Sequence, residues 1–187
     1  GAALELVGVF HGQELYRETL PVLENLAAEH GQAIEPQFLL GAAAERTGDT
    51  ARAARAFERV LALEPNHAPT LNYLGYMWAD RSQNLERAVE MIERAVALDP
   101  DNGAYVDSLG WAYYRMGNYV EAREKLERAV ELVPEDPVIF DHLGDVYAAL
   151  GDTRKAAELY RRALTMADGG DLDPVTVRRK LDELETD

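Results

Sequence analysis

The sequence predicts an all-α chain built as a stack of antiparallel helix pairs, and three observations predict it. Leu-Gly pairs recur at residues 40–41, 74–75, 109–110 and 143–144, spaced 34, 35 and 34 residues apart. Behind each comes an alanine with a large apolar residue four positions later: Ala53/Phe57, Ala88/Ile92, Ala122/Leu126 and Ala156/Tyr160. Pro65, Pro100 and Pro134 then close three of these units, and Asp168 stands at that place in the fourth. A period of this length marks a solenoid, in which a helix pair buries its apolar faces only by stacking on its neighbours.

The units run over residues 34–67, 68–102, 103–136 and 137–170. The third shows the physics of each. Val106, Leu109, Gly110 and Tyr113 recur at i, i+3, i+4, i+7 and so lie on one helical face, which the pattern assigns to the core. Gly110 in mid-helix costs about 1 kcal/mol relative to Ala, and close approach of a second helix is the expected return. Gly117-Asn118 supplies a residue tolerant of positive φ to end the first helix. In the second helix Ala122 is small where backbones cross, Leu126, Ala129 and Val130 continue the stripe, and Pro134 stops it. The second unit carries one extra residue in its inter-helix turn, around Arg81-Ser82-Gln83-Asn84.

Residues 1–33 read as a degenerate helix pair, with Ala3, Leu6, Val7 and Phe10 on one face and Thr19, Leu23 and Leu26 at the second-helix positions, Pro21 falling near the start of that helix. At the far end Asp173-Pro174 is an N-cap and first-turn pair, and Val177, Leu181 and Leu184 form a narrow stripe among charged residues. Residues 173–185 are therefore predicted to be a capping helix. The first residues carry no comparable polar cap, which predicts further repeats upstream.

Composition narrows the function classes. With 34 acidic and 19 basic residues the net charge is −15, which repels phosphate backbones and anionic membranes and suits a basic or apolar peptide. There are no cysteines, so disulfides, thiolate nucleophiles and Cys-based zinc sites are excluded. No apolar run approaches the length of a membrane span, and residues 1–10 lack the basic start and cleavage pattern of a signal peptide. The four histidines form no i, i+4 pair, so no metal site is expected. The stretch DPDNG (99–103) fails as a calcium loop because glycine stands where the fifth ligand is needed. No phosphate-binding or nucleophile-elbow motif appears, and neither a cofactor nor an enzymatic activity is predicted.

The units resemble the tetratricopeptide repeat, whose W-x2-L-G-x2-Y…A-x3-F…P pattern they match at most positions, with Gln37, Leu71, Val106 and Phe140 in the tryptophan slot. The resemblance implies a right-handed superhelix, an α-solenoid, whose first helices line a concave groove. In the third unit that face holds Ala104, Asp107, Trp111 and Tyr114, so Tyr113 is read as core while Trp111 and Tyr114 project into the groove. The equivalent faces hold Phe38 in the first unit, Asn72 and Tyr76 with Tyr73 alongside in the second, and Asp141 and Asp145 with His142 alongside in the fourth. The groove is thus predicted to run from aromatic (Phe38, Tyr73, Tyr76, Trp111, Tyr114) to acidic (Asp107, Asp141, Asp145). The cationic clamp with which chaperone-binding members hold a terminal carboxylate is missing.

The stretches LNYLGYMWADR (71–81), 89–122 and DHLGDVYAALG (141–151) are also similar to the C-terminal repeats of large bacterial members. These include outer-membrane lipoprotein adaptors of carboxy-terminal processing proteases. That similarity implies a periplasmic or outer-membrane-associated adaptor, with a cytoplasmic location as the alternative. The expected function is a non-catalytic scaffold that binds a peptide segment or partner protein in its groove, with no nucleic-acid partner. Two alternatives stand beside it: self-association by end-to-end stacking or helix exchange, and binding of a small hydrophobic ligand in the groove.

Overall fold

Each repeat becomes two helices because its apolar stripe recurs at helical spacing and its turn residues stop the helix on both sides. The computed structural model describes residues 15–167 and 172–186. Its ten helices are α1 (Tyr16–Glu29), α2 (Ile34–Arg46), α3 (Thr50–Leu63), α4 (Ala68–Asp80) and α5 (Leu85–Leu98), then α6 (Gly103–Arg115), α7 (Tyr119–Leu132), α8 (Pro137–Ala149), α9 (Thr153–Met166) and α10 (Pro174–Thr186). The described residues form an all-α solenoid without strands. Within a unit the two helices pack together (α4 on α5, α6 on α7); between units the second helix and the first helix both meet the next first helix (α5 and α4 on α6).

The Leu-Gly pair and the alanine-plus-four pair meet across each unit. A Cβ built on Gly41 would lie 2.5 Å from Phe57 Cε1, on Gly75 2.6 Å from Ile92 Cγ1, and on Gly110 2.6 Å from Leu126 Cγ; Gly144 faces Tyr160 in the same way. The glycine is thus the hole into which the large residue fits. The core is correspondingly a ribbon of adjoining clusters. Leu20 is shared between the first two, and Val96 and Tyr113 between the second and third.

The turns follow one plan. Gly48, Gly117 and Gly151 take φ of 82 to 85°, and the next residue donates its N–H to the carbonyl five residues back: Asp49 to Ala44, Asn118 to Tyr113, Asp152 to Tyr147. This is the Schellman closure. In the second unit Ser82 occupies the glycine's place at φ 52°, Gln83 donates to Trp78, and the extra residue is absorbed by Asn84 at φ 47°. Three of the first helices begin on side-chain caps, with His67, Asn102 and Asp136 accepting from Thr70, Tyr105 and Val138 backbone N–H groups, while α2 starts at Ala33 without one.

At the ends the structure departs in part from the sequence reading. Ala3, Leu6, Val7 and Phe10 lie outside the described residues, as does Asp168. Thr19 and Leu23 are fully buried in α1, but Pro21 is well inside that helix rather than near its start. Gln37, in the tryptophan slot, donates through Nε2 to the Ala27 carbonyl (3.0 Å) and so joins α2 to α1. Val177 and Leu181 of α10 are buried against the fourth unit. Among the described residues no helix is long and apolar enough to cross a membrane.

Candidate functional site

The first helices α2, α4, α6 and α8 carry the predicted groove residues, and the stacking of successive units decides which of them remain open. A residue at the groove position of one first helix is met by a residue roughly one repeat later on the next. Phe38 is met by Tyr73, with ring centroids 5.6 Å apart and edge to face. Asp107 is met by His142, whose Nδ1 lies 2.9 Å from Asp107 Oδ1. Asp141 is met by Lys180 of α10, whose Nζ donates to both its oxygens at 2.9 and 3.0 Å. These joints form a ladder along the groove: aromatic on aromatic at one end, acid on base at the other.

Two sequence expectations are corrected by this ladder. Trp111 does not face open groove. The residue is 9 % exposed, and its ring stacks with Tyr114 (centroids 5.0 Å) and with His142 (4.2 Å, 18° between planes). The Arg115 guanidinium lies 5.4 Å from the indole centroid. Nor is the acidic end an open acidic face. Lys180 Nζ also reaches Asp145 Oδ2 at 2.8 Å, and Tyr160 donates its hydroxyl to Asp145 Oδ1 at 2.7 Å. Lys180 arrives from the capping helix, outside the 34-residue period, and Asp107 is already held by His142. Tyr113, read as core, is half-buried, and its hydroxyl donates to Glu93 on α5 at 2.7 Å.

Burial and neighbouring charge act against each other in these joints. Burial disfavours the charged imidazole of His142, but the carboxylates of Asp107, Asp141 and Asp145 together outweigh it, so its pKa lies above the ordinary value. Lys180 is likewise penalised by burial and held above its usual value by Asp145 and Asp141. Asp141 moves upward because burial outweighs the lowering by Lys180. Burial and the Glu93 partner push the Tyr113 phenol up to about 12.

What stays open lies one unit earlier. A groove of about 420 Å³ runs between α4 and α6, lined among others by Asn72, Tyr73, Tyr76, Asp107, Ser108 and His142. Tyr73 is 40 % exposed. Asn72 Oδ1 is buried without a hydrogen-bond partner, as is Trp111 Nε1 behind the closed face. Among the described residues no group of three or more potential ligands is placed to hold a metal. The structure therefore brings Asn72, Tyr73 and Tyr76 to a shared open stretch, packs Phe38 behind it against Phe57 and Tyr73, and closes the face around Trp111, Asp141 and Asp145 upon itself. Sequence reasoning missed Ser108 and Lys180. The signal for Ser108 is its register with Tyr73 and His142, at 35 and 34 residues.

The tetratricopeptide repeat pattern matches residues 38–103, 79–137 and 112–168. No curated protein matches the chain. Among solved structures, MamA (41-end) of Desulfovibrio magneticus RS-1 is 25 % identical and superposes at TM-score 0.75 over 91 % of this chain and 96 % of its own. A thermophilic TPR protein of Thermus thermophilus is 20 % identical at TM-score 0.79, covering 99 % and 98 %. PilW, a widely conserved type IV pilus biogenesis factor, is 15 % identical at TM-score 0.84, covering 99 % and 85 %. At such identities the last two share the fold alone.

Proposed function

The chain belongs to the tetratricopeptide repeat family, and from that premise we propose that it is a non-catalytic scaffold that holds a segment of a partner protein in the groove between α2, α4 and α6. The observation that carries this reading is the open stretch itself. There the exposed Tyr73 ring and Tyr76 flank a groove of about 420 Å³, whereas the rest of the first-helix face is closed by its own ladder. Tyrosines give large rigid contact area with a polar tip, the usual composition of a binding anchor. Asn72 sits on the groove wall with its Oδ1 unpartnered.

Lodging an extended segment there needs no opening of the array, because the space lies between units already stacked. Asp141 and Asp145, closed by Lys180, join α8 to α10 and do not line the groove. A photoreactive phenylalanine analogue at position 73, compared with one at the exposed Arg154 on α9, tests the reading in an extract of the source cells. A partner cross-linked through position 73 and lost with Tyr76→Ala is expected. Cross-linking only through position 154 would reject the groove as the site.

A further inference from the structure

Resting on that reading, we propose that the open stretch is a socket for a lysine or arginine side chain carried by the bound segment, seated between Asn72 of α4 and Ser108 of α6.

The first support is register. Tyr73, His142 and Lys180 each fill the space beside a groove residue of the preceding first helix. At the remaining joint Asn72 is faced by Ser108, and the neighbouring groove position on α6 is Ala104, so both side chains there are small. The Ser108 hydroxyl donates to the Ala104 carbonyl at 2.9 Å and Asn72 Oδ1 has no partner. The groove opens at that joint because the chain does not supply its own filler. At the next two joints along the same face, the filler is a base.

Charge is the second support. Glu45, Asp80, Asp107 and Asp136 line the groove against Arg46 and His142. Arg46 is drawn over the Tyr16 ring (5.8 Å) on α1, and His142 is matched by Asp107. Asp80 shares Arg115 at 3.7 Å, and Asp136 caps α8. The remaining field is negative, as the net charge of −15 reinforces. A partner ammonium or guanidinium finds carboxylates at the rim and tyrosine faces for cation–π contact, and a turn of the Asn72 amide brings its unpartnered Oδ1 to it as acceptor. The filled joint at Lys180 shows this combination inside the same molecule, with two carboxylates and the Tyr160 ring centroid 5.6 Å away. A partner carboxylate is repelled, and a neutral side chain leaves the rim charges unused.

A displayed library of random nonapeptides, selected on the whole chain, tests this. The pool from the wild type is expected to carry Lys or Arg at one fixed position. Ser108→His, which repeats at that joint the filler found at 142, is expected to select peptides without that preference. Glu45→Gln with Asp80→Asn should weaken the best selected peptide by about five-fold and leave its norleucine counterpart unchanged. This second variant alters only groove-rim carboxylates, so it decides the matter if Ser108→His does not fold. A wild-type pool that depends on Tyr73 and Tyr76 but shows no basic preference would overturn the socket and leave groove binding standing. An empty pool, or one indifferent to Tyr73→Ser with Tyr76→Ala, would overturn both.

Discussion

Raising the pH through the folded-state titration of His142 should loosen the joint between the third and fourth units. His142 Nδ1 lies 2.9 Å from Asp107 Oδ1 and both residues are buried. The imidazole also lies in the field of Asp141 and Asp145, which Lys180 holds, and the Trp111 ring stacked on it is stacked in turn with Tyr114. Burial pulls its pKa down, Asp107 foremost pushes it up, and the result is above the ordinary value. In the unfolded chain a histidine titrates near about 6.5. Below that pH both states hold the proton and the ion pair contributes in full. As the pH climbs through the higher folded-state pKa the native state releases its proton and the contribution is lost.

A charge-assisted hydrogen bond of this kind is worth about 1.5–3 kcal/mol. In a chain of this size ~2 kcal/mol corresponds to a change of roughly 4–8 °C in Tm. Thermal melts of the wild type and His142→Gln between about pH 5.5 and 9 measure it, because glutamine keeps an N–H donor and removes the charge. The wild type should lead by several degrees at the acid end, and the gap should close toward the alkaline end. Trp111 provides a local reading, since an imidazolium stacked 4.2 Å away quenches an indole. With Trp78→Phe leaving one tryptophan, emission should rise with pH as His142 deprotonates. A Tm gap that stays constant across the range, or the same emission curve in His142→Gln, would refute the reasoning.

Three further outcomes follow from the joints. Gly110→Ala places a Cβ 2.6 Å from Leu126 Cγ and 3.2 Å from its backbone nitrogen; urea denaturation should show a loss of about 1–3 kcal/mol despite alanine's better helix propensity. Lys180→Met leaves Asp141 and Asp145 facing each other without their ammonium partner; a loss of about 3 kcal/mol and faster proteolytic removal of α10 are expected, with partial rescue by adding Asp145→Asn. Arg94→Ala removes the bonds from its guanidinium to Pro65 O (2.6 Å) and Asn66 Oδ1 (3.0 Å); chemical denaturation should register about 1 kcal/mol, since the arginine is on the surface.

The fold was legible because a solenoid repeats its packing rule along one dimension. Each Leu-Gly pair announces a hole, and each alanine-plus-four announces what fills it, so Gly41 with Phe57 and Gly144 with Tyr160 follow from spacing alone. Helical phase also placed Asp107, Trp111 and Tyr114 on one face. Phase fixes the direction of a Cα–Cβ bond, however, and says nothing of what the next helix lays across it. Trp111 is covered by His142, a residue that spacing set alongside the groove face of its own unit. The cover became visible only when the two helices stood side by side. Lys180 was hidden differently: α10 lies outside the repeat period, and its charged residues read as a solvated flank around Val177 and Leu181.

The same contrast explains why the open stretch falls where it does. The intra-unit rule, glycine against a large apolar residue, holds at all four units and keeps the array folded. The inter-unit joints on the groove face do not share one chemistry: Phe38 meets Tyr73, Asp107 meets His142, Asp141 meets Lys180, and Asn72 and Ser108 line an open groove between them. In a stack where each unit contacts only its neighbours, changing one joint perturbs its immediate neighbourhood and leaves the other joints standing. A small residue such as Ser108 therefore opens a groove at little cost to the stack, whereas a histidine in the same register closes one. Placing a filler at 108 and removing the one at 142 should move the open stretch by one unit, which makes the joint, and not the repeat, the element that sets where the first-helix face stays open.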